Sequence, residues 1–150
     1  MTTSVRAYRN SATEGATHVD ILMACYDAVA ENIRFAGKFA AMGHIPARCR
    51  HSERALLLIG HLESWVSLVD DVGLAASLQD FYKYLRAEIL RLQLCAELDR
   101  FMDLALVVCE TRAAWQKRQS VESLQAAAAS EQPYSIAAPD GTTSSFQISA

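Results

Sequence analysis

The chain has 150 residues, of which 51% are hydrophobic and 21% are charged, with only 6 glycines and 3 prolines. This length suits one domain with a sizeable core, and the shortage of glycine and proline favours helices over strands. The formal net charge of −3 argues against a nucleic-acid binder, and no apolar run approaches the roughly 18 residues that would cross a bilayer.

The first helix is predicted from Thr17 to Met42. Residues 1–16 are mostly small and polar, and they are expected to form a flexible N-terminal segment. Thr17 and Asp20 fit a capping box, and Gly43 suits the position after the helix C-terminus. Within this helix, the stretch DILMACYD places six apolar residues in succession between two aspartates. A soluble helix needs one apolar stripe, so part of this stretch is expected to be covered by another polypeptide.

Three further helices follow in the prediction. Pro46 fits the first turn of the second helix, and Gly73 predicts a hinge in the turn before the third. The next break is placed near Cys95–Asp99, because a single helix from Leu74 to Gln119 would be ~69 Å long. Four amphipathic helices joined by short loops predict an all-α fold, an antiparallel four-helix bundle.

The composition divides the chain into three parts. The bundle domain is predicted over residues 17–118, after the N-terminal segment of residues 1–16. Residues 119–150 are rich in Ser, Ala, Gln and Thr, and they are expected to form a flexible tail in which a brief helix near VESLQAAAA is an option.

Four histidines and four cysteines raise the question of chemistry. No Glu-x-x-His pair of a di-iron bundle occurs, no CxxC or CxxCH occurs, and the glycines form no phosphate-binding loop. The sequence therefore predicts no catalytic site, no metal and no cofactor, with the cysteines as reduced, buried thiols. An enzyme or a metal-binding bundle remains an alternative, in which a Cys–His pair would form only on folding.

Five segments in order carry a resemblance to a known family. They are AYRNS, ATHVDILMACYDAVAENIRFA, GHIPARCRHSERALLLIGHLESWVSLVD, LAASLQDFYKYLRAEIL and TRAAWQKR, which together cover roughly residues 6–118. The chain resembles the flagellar secretion chaperone FliS. That family typically shows a tyrosine near the start, an I/L-x-M-L-Y/F-D segment, a helix opening with Gly-Asp-I/V, an L-x-x-L-Y-x-Y segment and a final Arg/Asp-x-Ala-Trp.

The resemblance implies a cytoplasmic export chaperone that is not an enzyme. Its partner would be the C-terminal region of flagellin, which folds as it wraps the chaperone and is thereby kept from premature polymerisation. Flagellar export-gate components are implied as further partners, and the free protein is expected to be a monomer or a weak homodimer. The start MTTSVRAYRN shows no signal peptide, which agrees with the expected cytoplasmic location. No membrane insertion is expected.

The resemblance also implies which residues contact the partner. By position these are the N-terminal tyrosine, the start of the first helix and the aromatic cluster of the third helix, namely Tyr8, Ile21, Leu22, Met23, Tyr26, Phe81, Tyr82 and Tyr84. Two departures leave an alternative open. Val72–Gly73 stands where the family usually has Gly-Gly, and Cys95–Ala96–Glu97 replaces the usual Asn/Asp turn. With the long tail, these motivate a FliS-like binding module for a different secreted or regulatory protein.

Overall fold

The computed structural model describes residues 18–130, and this part of the chain forms four helices joined by short connections. The helices are α1 (His18–Ala41), α2 (Ile45–Trp65), α3 (Val72–Leu94) and α4 (Leu98–Ser130), with a 3-10 turn at Val66–Leu68 directly after α2. The prediction of an all-α four-helix bundle is confirmed.

Side-chain pairs show that α2 and α3 run antiparallel. Near the start of α2, the Ser52 hydroxyl accepts a hydrogen bond of 2.8 Å from the Gln93 amide, which lies near the end of α3. Near the end of α2, Glu63 forms an ion pair of 2.6 Å with Arg86, which lies farther towards the start of α3. The order of these two pairs is possible only if the helices point in opposite directions.

The α1 and α4 helices are also antiparallel, and they approach closely. Asp27 in the first half of α1 pairs at 2.7 Å with Arg112 in α4. Gly37, near the other end of α1, lies so close to Phe101 that a Cβ added to the glycine would be 2.6 Å from the Phe101 Cβ. The absence of a side chain at Gly37 therefore sets how closely the two helices pack.

The core is built around α1, which packs extensively against both α2 and α4, whereas α3 and α4 contact each other only weakly. Residues from all four helices fill the centre and are at most 2% exposed, including Tyr26, Val29, Ile33, Ile59, Leu62, Tyr82, Leu85, Ile89, Phe101 and Val108. Because α3 meets α4 only weakly, one seam of the bundle is left partly open.

Local signals explain where the helices begin and end. Gly43 has φ of +68°, the left-handed conformation predicted for the residue that ends α1. Asp71 caps α3, because its carboxylate accepts a hydrogen bond of 3.1 Å from the Leu74 amide. The prediction of a hinge at Gly73 is wrong, since the Asp71 cap allows the helix to begin at Val72 and include the glycine.

The break between α3 and α4 falls at residues 95–97, where it was predicted from the maximum helix length that fits a compact bundle. The α4 helix has 33 residues, about 50 Å at 1.5 Å per residue, against 21 for α2. Residues 119–130 were predicted to belong to a flexible tail, but α4 continues through them. The reason is that Ala, Gln, Glu and Leu in this stretch favour a helix. Residues 1–17 and 131–150, with Thr17 of the predicted capping box and Tyr8, lie outside the described part.

Candidate functional site

An apolar groove opens at one end of the bundle, where the start of α1, the end of α2, the start of α3 and the later part of α4 meet. We call it the end groove. Its volume is ≈ 260 Å³, and its lining residues are His18, Val19, Leu22, Leu62, Trp65, Val66, Leu68, Val69, Leu78, Tyr82 and Trp115. Apart from the His18 imidazole, the two tryptophan indoles and the Tyr82 phenol, the lining is aliphatic. Such a lining suits an apolar ligand or the apolar face of a peptide.

Irregular backbone after α2 supplies one wall of the end groove. The helix ends at Trp65, the chain makes a 3-10 turn, and Val69 then takes an extended conformation with φ −88° and ψ 115°. This change of direction buries Val66 at 4% exposure while leaving Leu68 70% exposed. A hydrophobic side chain that remains so exposed beside an apolar groove is typical of an interaction surface.

Two buried tyrosines lie beneath the end groove. Tyr26 of α1 is 0% exposed and Tyr82 of α3 is 2% exposed, and their hydroxyl oxygens are 2.7 Å apart in a hydrogen bond. Burial raises the pKa of Tyr26, and the hydrogen bond with Tyr82 opposes that rise. Burial, followed by the neighbouring Tyr26, raises the pKa of Tyr82. Both phenols therefore stay protonated, and their hydrogen bond joins α1 to α3 beneath the end groove.

The open seam between α3 and α4 continues from the end groove. A second depression of ≈ 210 Å³ is lined by Leu74, Leu78, Thr111, Ala114, Trp115 and Arg118, so it shares Leu78 and Trp115 with the end groove. Farther along, a third depression of ≈ 280 Å³ is lined by Tyr84, Glu88, Arg100, Asp103, Leu104 and Val107. The α3–α4 seam thus changes from apolar near Trp115 to mixed and charged near Tyr84.

The structure places the predicted α1 residues at different depths. Leu22 lines the end groove, whereas Tyr26 and Met23 are buried, the latter at 8% exposure. Ile21 is 36% exposed and is not among the groove's lining residues. The apolar succession in DILMACYD is therefore shared between core, groove and solvent-exposed surface. Tyr8 lies outside the described residues.

The predicted α3 residues lie at different depths. Tyr82 lines the end groove from below. Phe81 is half-buried against the core, with its ring centroid 5.9 Å from that of Tyr82 and 6.5 Å from that of Tyr84. Tyr84 is 46% exposed and lines the α3–α4 seam. The structure thus brings Leu22 and Tyr82 together, and it connects Tyr84 to them only through Phe81.

Sequence reasoning missed one wall of the groove. Trp65, Val66, Leu68 and Val69 all line it, and none of them is among the contact residues that the resemblance implied. The signal was present, because WVSLV puts four apolar residues within five positions, more than one helical stripe can bury. Such density at a helix end, as in DILMACYD, indicates surface that faces something other than the core.

Within residues 18–130, no group of three His, Cys, Asp or Glu side chains could hold a metal ion. The same part of the chain contains no helix that is long and apolar enough to cross a membrane. The four cysteines are free thiols, but the prediction that they are buried is wrong, because three are half-buried and Cys95 is exposed. Partial burial raises the pKa of Cys25.

Comparison with known families gives one match. The model of the family described as "Flagellar protein FliS" matches residues 1–122, which includes all the residues of the end groove. No individual curated protein matches the chain. The family is one of flagellar export chaperones and not of enzymes. A helical bundle with an apolar groove agrees with that role, and the extent of the match shows that this chain belongs to the FliS family.

Proposed function

We propose that this protein is a cytoplasmic chaperone that binds the C-terminal region of flagellin and prevents its polymerisation before export. The observation that carries the proposal is the end groove, whose apolar lining includes both tryptophans of the chain and the exposed Leu68. Membership of the FliS family supports the same role. Flagellar export-gate components are the further partners that this role implies.

The client is expected to occupy more than the end groove. A groove of ≈ 260 Å³ has room for only a few side chains, whereas a standard protein interface buries roughly 800 Å² on each partner. The adjoining depressions along the α3–α4 seam extend the surface past Trp115 towards Tyr84. An amphipathic client segment can therefore place apolar side chains in the end groove and polar side chains along the charged part of the seam. The client must order on binding, so much of the gain from apolar burial offsets lost chain entropy.

The two tryptophans provide a direct test of this location. Both line the end groove, and the chain has no others, so intrinsic tryptophan emission reports on occupancy of this groove and of the adjoining depression that shares Trp115. A peptide of the flagellin C-terminal region from the same organism is titrated into the protein by calorimetry and by fluorescence. The expected result is one-to-one binding with a negative heat-capacity change and a blue shift of the emission, because the client replaces water around the indoles.

A matched pair of variants separates the groove from the rest of the surface. Leu68→Asp places a charge on the groove wall, and Leu106→Asp places one on an exposed part of α4 that does not line the groove; the two leucines are 70% and 56% exposed. Leu68→Asp is expected to weaken binding at least about tenfold, with little effect on folding. Leu106→Asp should leave affinity unchanged. Equal affinity of both variants would refute the end groove as the client site.

A FliS-like module for a different client is the second candidate. It is favoured by Val72, which stands where the family usually has glycine and is 81% exposed close in sequence to Leu68 and Val69 of the groove wall. A bulkier position here can change which client fits. Binding of a filament-cap or another secreted protein's C-terminal peptide, with no binding of flagellin, would select this candidate.

A further inference from the structure

The last part of α4 projects beyond the rest of the bundle. Leu74, in the first turn of α3, and Arg118 of α4 line the same depression, so the two helices are level at this point. The α4 helix then continues to Ser130, and every residue from 120 to 130 is exposed. We call residues 119–130 the α4 extension, and its length is about 18 Å at 1.5 Å per residue.

An apolar stripe runs along one side of the α4 extension. Val121 and Leu124 are 46% and 71% exposed, and Ala128 is also exposed. Together with Ala114, which lines the α3–α4 seam beside Trp115, these residues are spaced by seven, three and four, so they lie on one side of α4. The stripe therefore begins in the α3–α4 seam and continues past the start of α3.

The α4 extension carries little charge. Glu122 is the one charged residue between positions 119 and 130, and its carboxylate pairs with the Arg118 guanidinium at 3.1 Å. The other side chains of the extension are Ser, Gln, Ala, Val and Leu. A strongly charged partner would find little complementary charge here, whereas the apolar face of another helix fits.

A helix end of this kind gains stability from a partner. Short helices are marginally stable in water on their own, and helices in proteins are stabilised mainly by packing of their apolar side. Beyond Arg118, α3 no longer runs beside α4, because α3 begins at Val72. A helix that packs on the stripe supplies the apolar contacts that α3 provides for the earlier part of α4.

We propose that the α4 extension is a further part of the client-binding surface, and that it packs against an amphipathic helix of the same client that fills the end groove. This inference rests on the proposed function. Continuity identifies the occupant, because a client segment that follows the seam past Trp115 and beyond the start of α3 still has α4 beside it. The end groove has room for only a few side chains, so an interface of standard size needs surface beyond it.

The α4 extension also contributes to the choice of client. The family match ends at residue 122, so Leu124 and Ala128 lie beyond the matched residues. Contacts at these positions favour a client helix that carries apolar side chains opposite them. A client with a charge at the same place binds less well, because a buried charge without a partner is costly.

Hydrogen exchange on the full chain tests the proposal, with the flagellin C-terminal peptide as the probe. In the free protein, the amides of residues 120–130 are expected to exchange rapidly, because the hydrogen bonds of an exposed helix end open readily. A saturating concentration of the peptide should slow their exchange at least about tenfold, because the client helix must first leave the stripe. Tryptophan emission in the same samples reports whether the peptide is bound at the end groove.

Matched variants separate the stripe from the rest of the α4 extension. Leu124→Asp is expected to weaken peptide binding at least about tenfold in calorimetry, because it places a charge within the apolar contact. Ser123→Asp introduces the same residue on a different side of the helix and should leave affinity unchanged. Val121→Ser checks the stripe one turn earlier. Circular dichroism confirms that each variant is folded, as expected for exposed side chains.

The results that would overturn the proposal also distinguish it from the proposed function. A blue shift of tryptophan emission with unchanged exchange in residues 120–130 removes the α4 extension from the client surface, while the proposed function stands. Equal affinity of Leu124→Asp and Ser123→Asp has the same meaning. Protection that appears without peptide as the protein concentration rises assigns the stripe to a second copy of the chain. Absence of any peptide binding refutes both the proposed function and this inference.

Discussion

The Tyr26–Tyr82 pair predicts that two chemically identical changes have effects that do not add. Tyr26→Phe and Tyr82→Phe each remove one hydroxyl of the 2.7 Å hydrogen bond that joins the two side chains. Neither change alters packing volume much, so the differences report on hydrogen bonding within a core where both side chains are at most 2% exposed.

The magnitudes follow from the groups that are left without partners. A buried donor or acceptor that loses its partner costs about 1–3 kcal/mol. Each single change leaves the other hydroxyl buried without this partner, so we expect either change to lower the unfolding free energy by about 1–3 kcal/mol. In the double variant neither hydroxyl remains, so its loss should be no greater than that of either single variant.

Urea unfolding followed by circular dichroism measures these values in a double-mutant cycle. Tyr84→Phe is the matched control, because Tyr84 is 46% exposed and its change should shift stability by less than about 0.5 kcal/mol. Strictly additive effects of the two buried changes would refute the reasoning.

Three further changes test other parts of the fold by the same unfolding measurement. Gly37→Ala should cost about 1–3 kcal/mol by overpacking, because its Cβ would lie 2.6 Å from the Phe101 Cβ; an unchanged urea midpoint would show that α1 and α4 separate without cost. Gly43→Ala should cost roughly 1–2 kcal/mol through its left-handed backbone alone, since no atom lies within 4 Å of the added Cβ, and a smaller loss for Gly43→Asn is expected. The Arg86 hydrogen bond, against the opposing effect of burial, holds the pKa of Glu63 below its ordinary value of 4.5, so the pair's contribution is complete above that pH and is lost as pH falls through the folded-state pKa. Near neutral pH the stability difference between the wild type and Glu63→Gln should be below about 1 kcal/mol, because about a third of each side chain in the pair is exposed. This difference should shrink on acidification. A difference that grows at low pH would contradict the expected sign.

The sequence by itself determined the helices and several of their ends. Local chemistry acts over a few residues, so Gly43 as the left-handed end of α1 and Pro46 in the first turn of α2 could be read directly. Helical periodicity acts in the same local way, since Val29 and Ile33 lie four residues apart on one face of α1 and both are buried. Even the break at residues 95–97, which carries no glycine or proline, followed from the limited size of a compact bundle.

Only the tertiary structure decided how adjacent apolar residues divide between core and groove. DILMACYD and WVSLV each carry more apolar residues than one stripe can bury, but periodicity does not say which neighbour helix is present or where it ends. The opening of the seam between α3 and α4 exposes Trp115, and the 3-10 turn after α2 turns Leu68 outwards. These features depend on contacts between residues far apart in the chain. The close approach at Gly37 also depends on tertiary structure. A glycine inside a helix does not by itself indicate which residue of another helix, here Phe101, will pack against it.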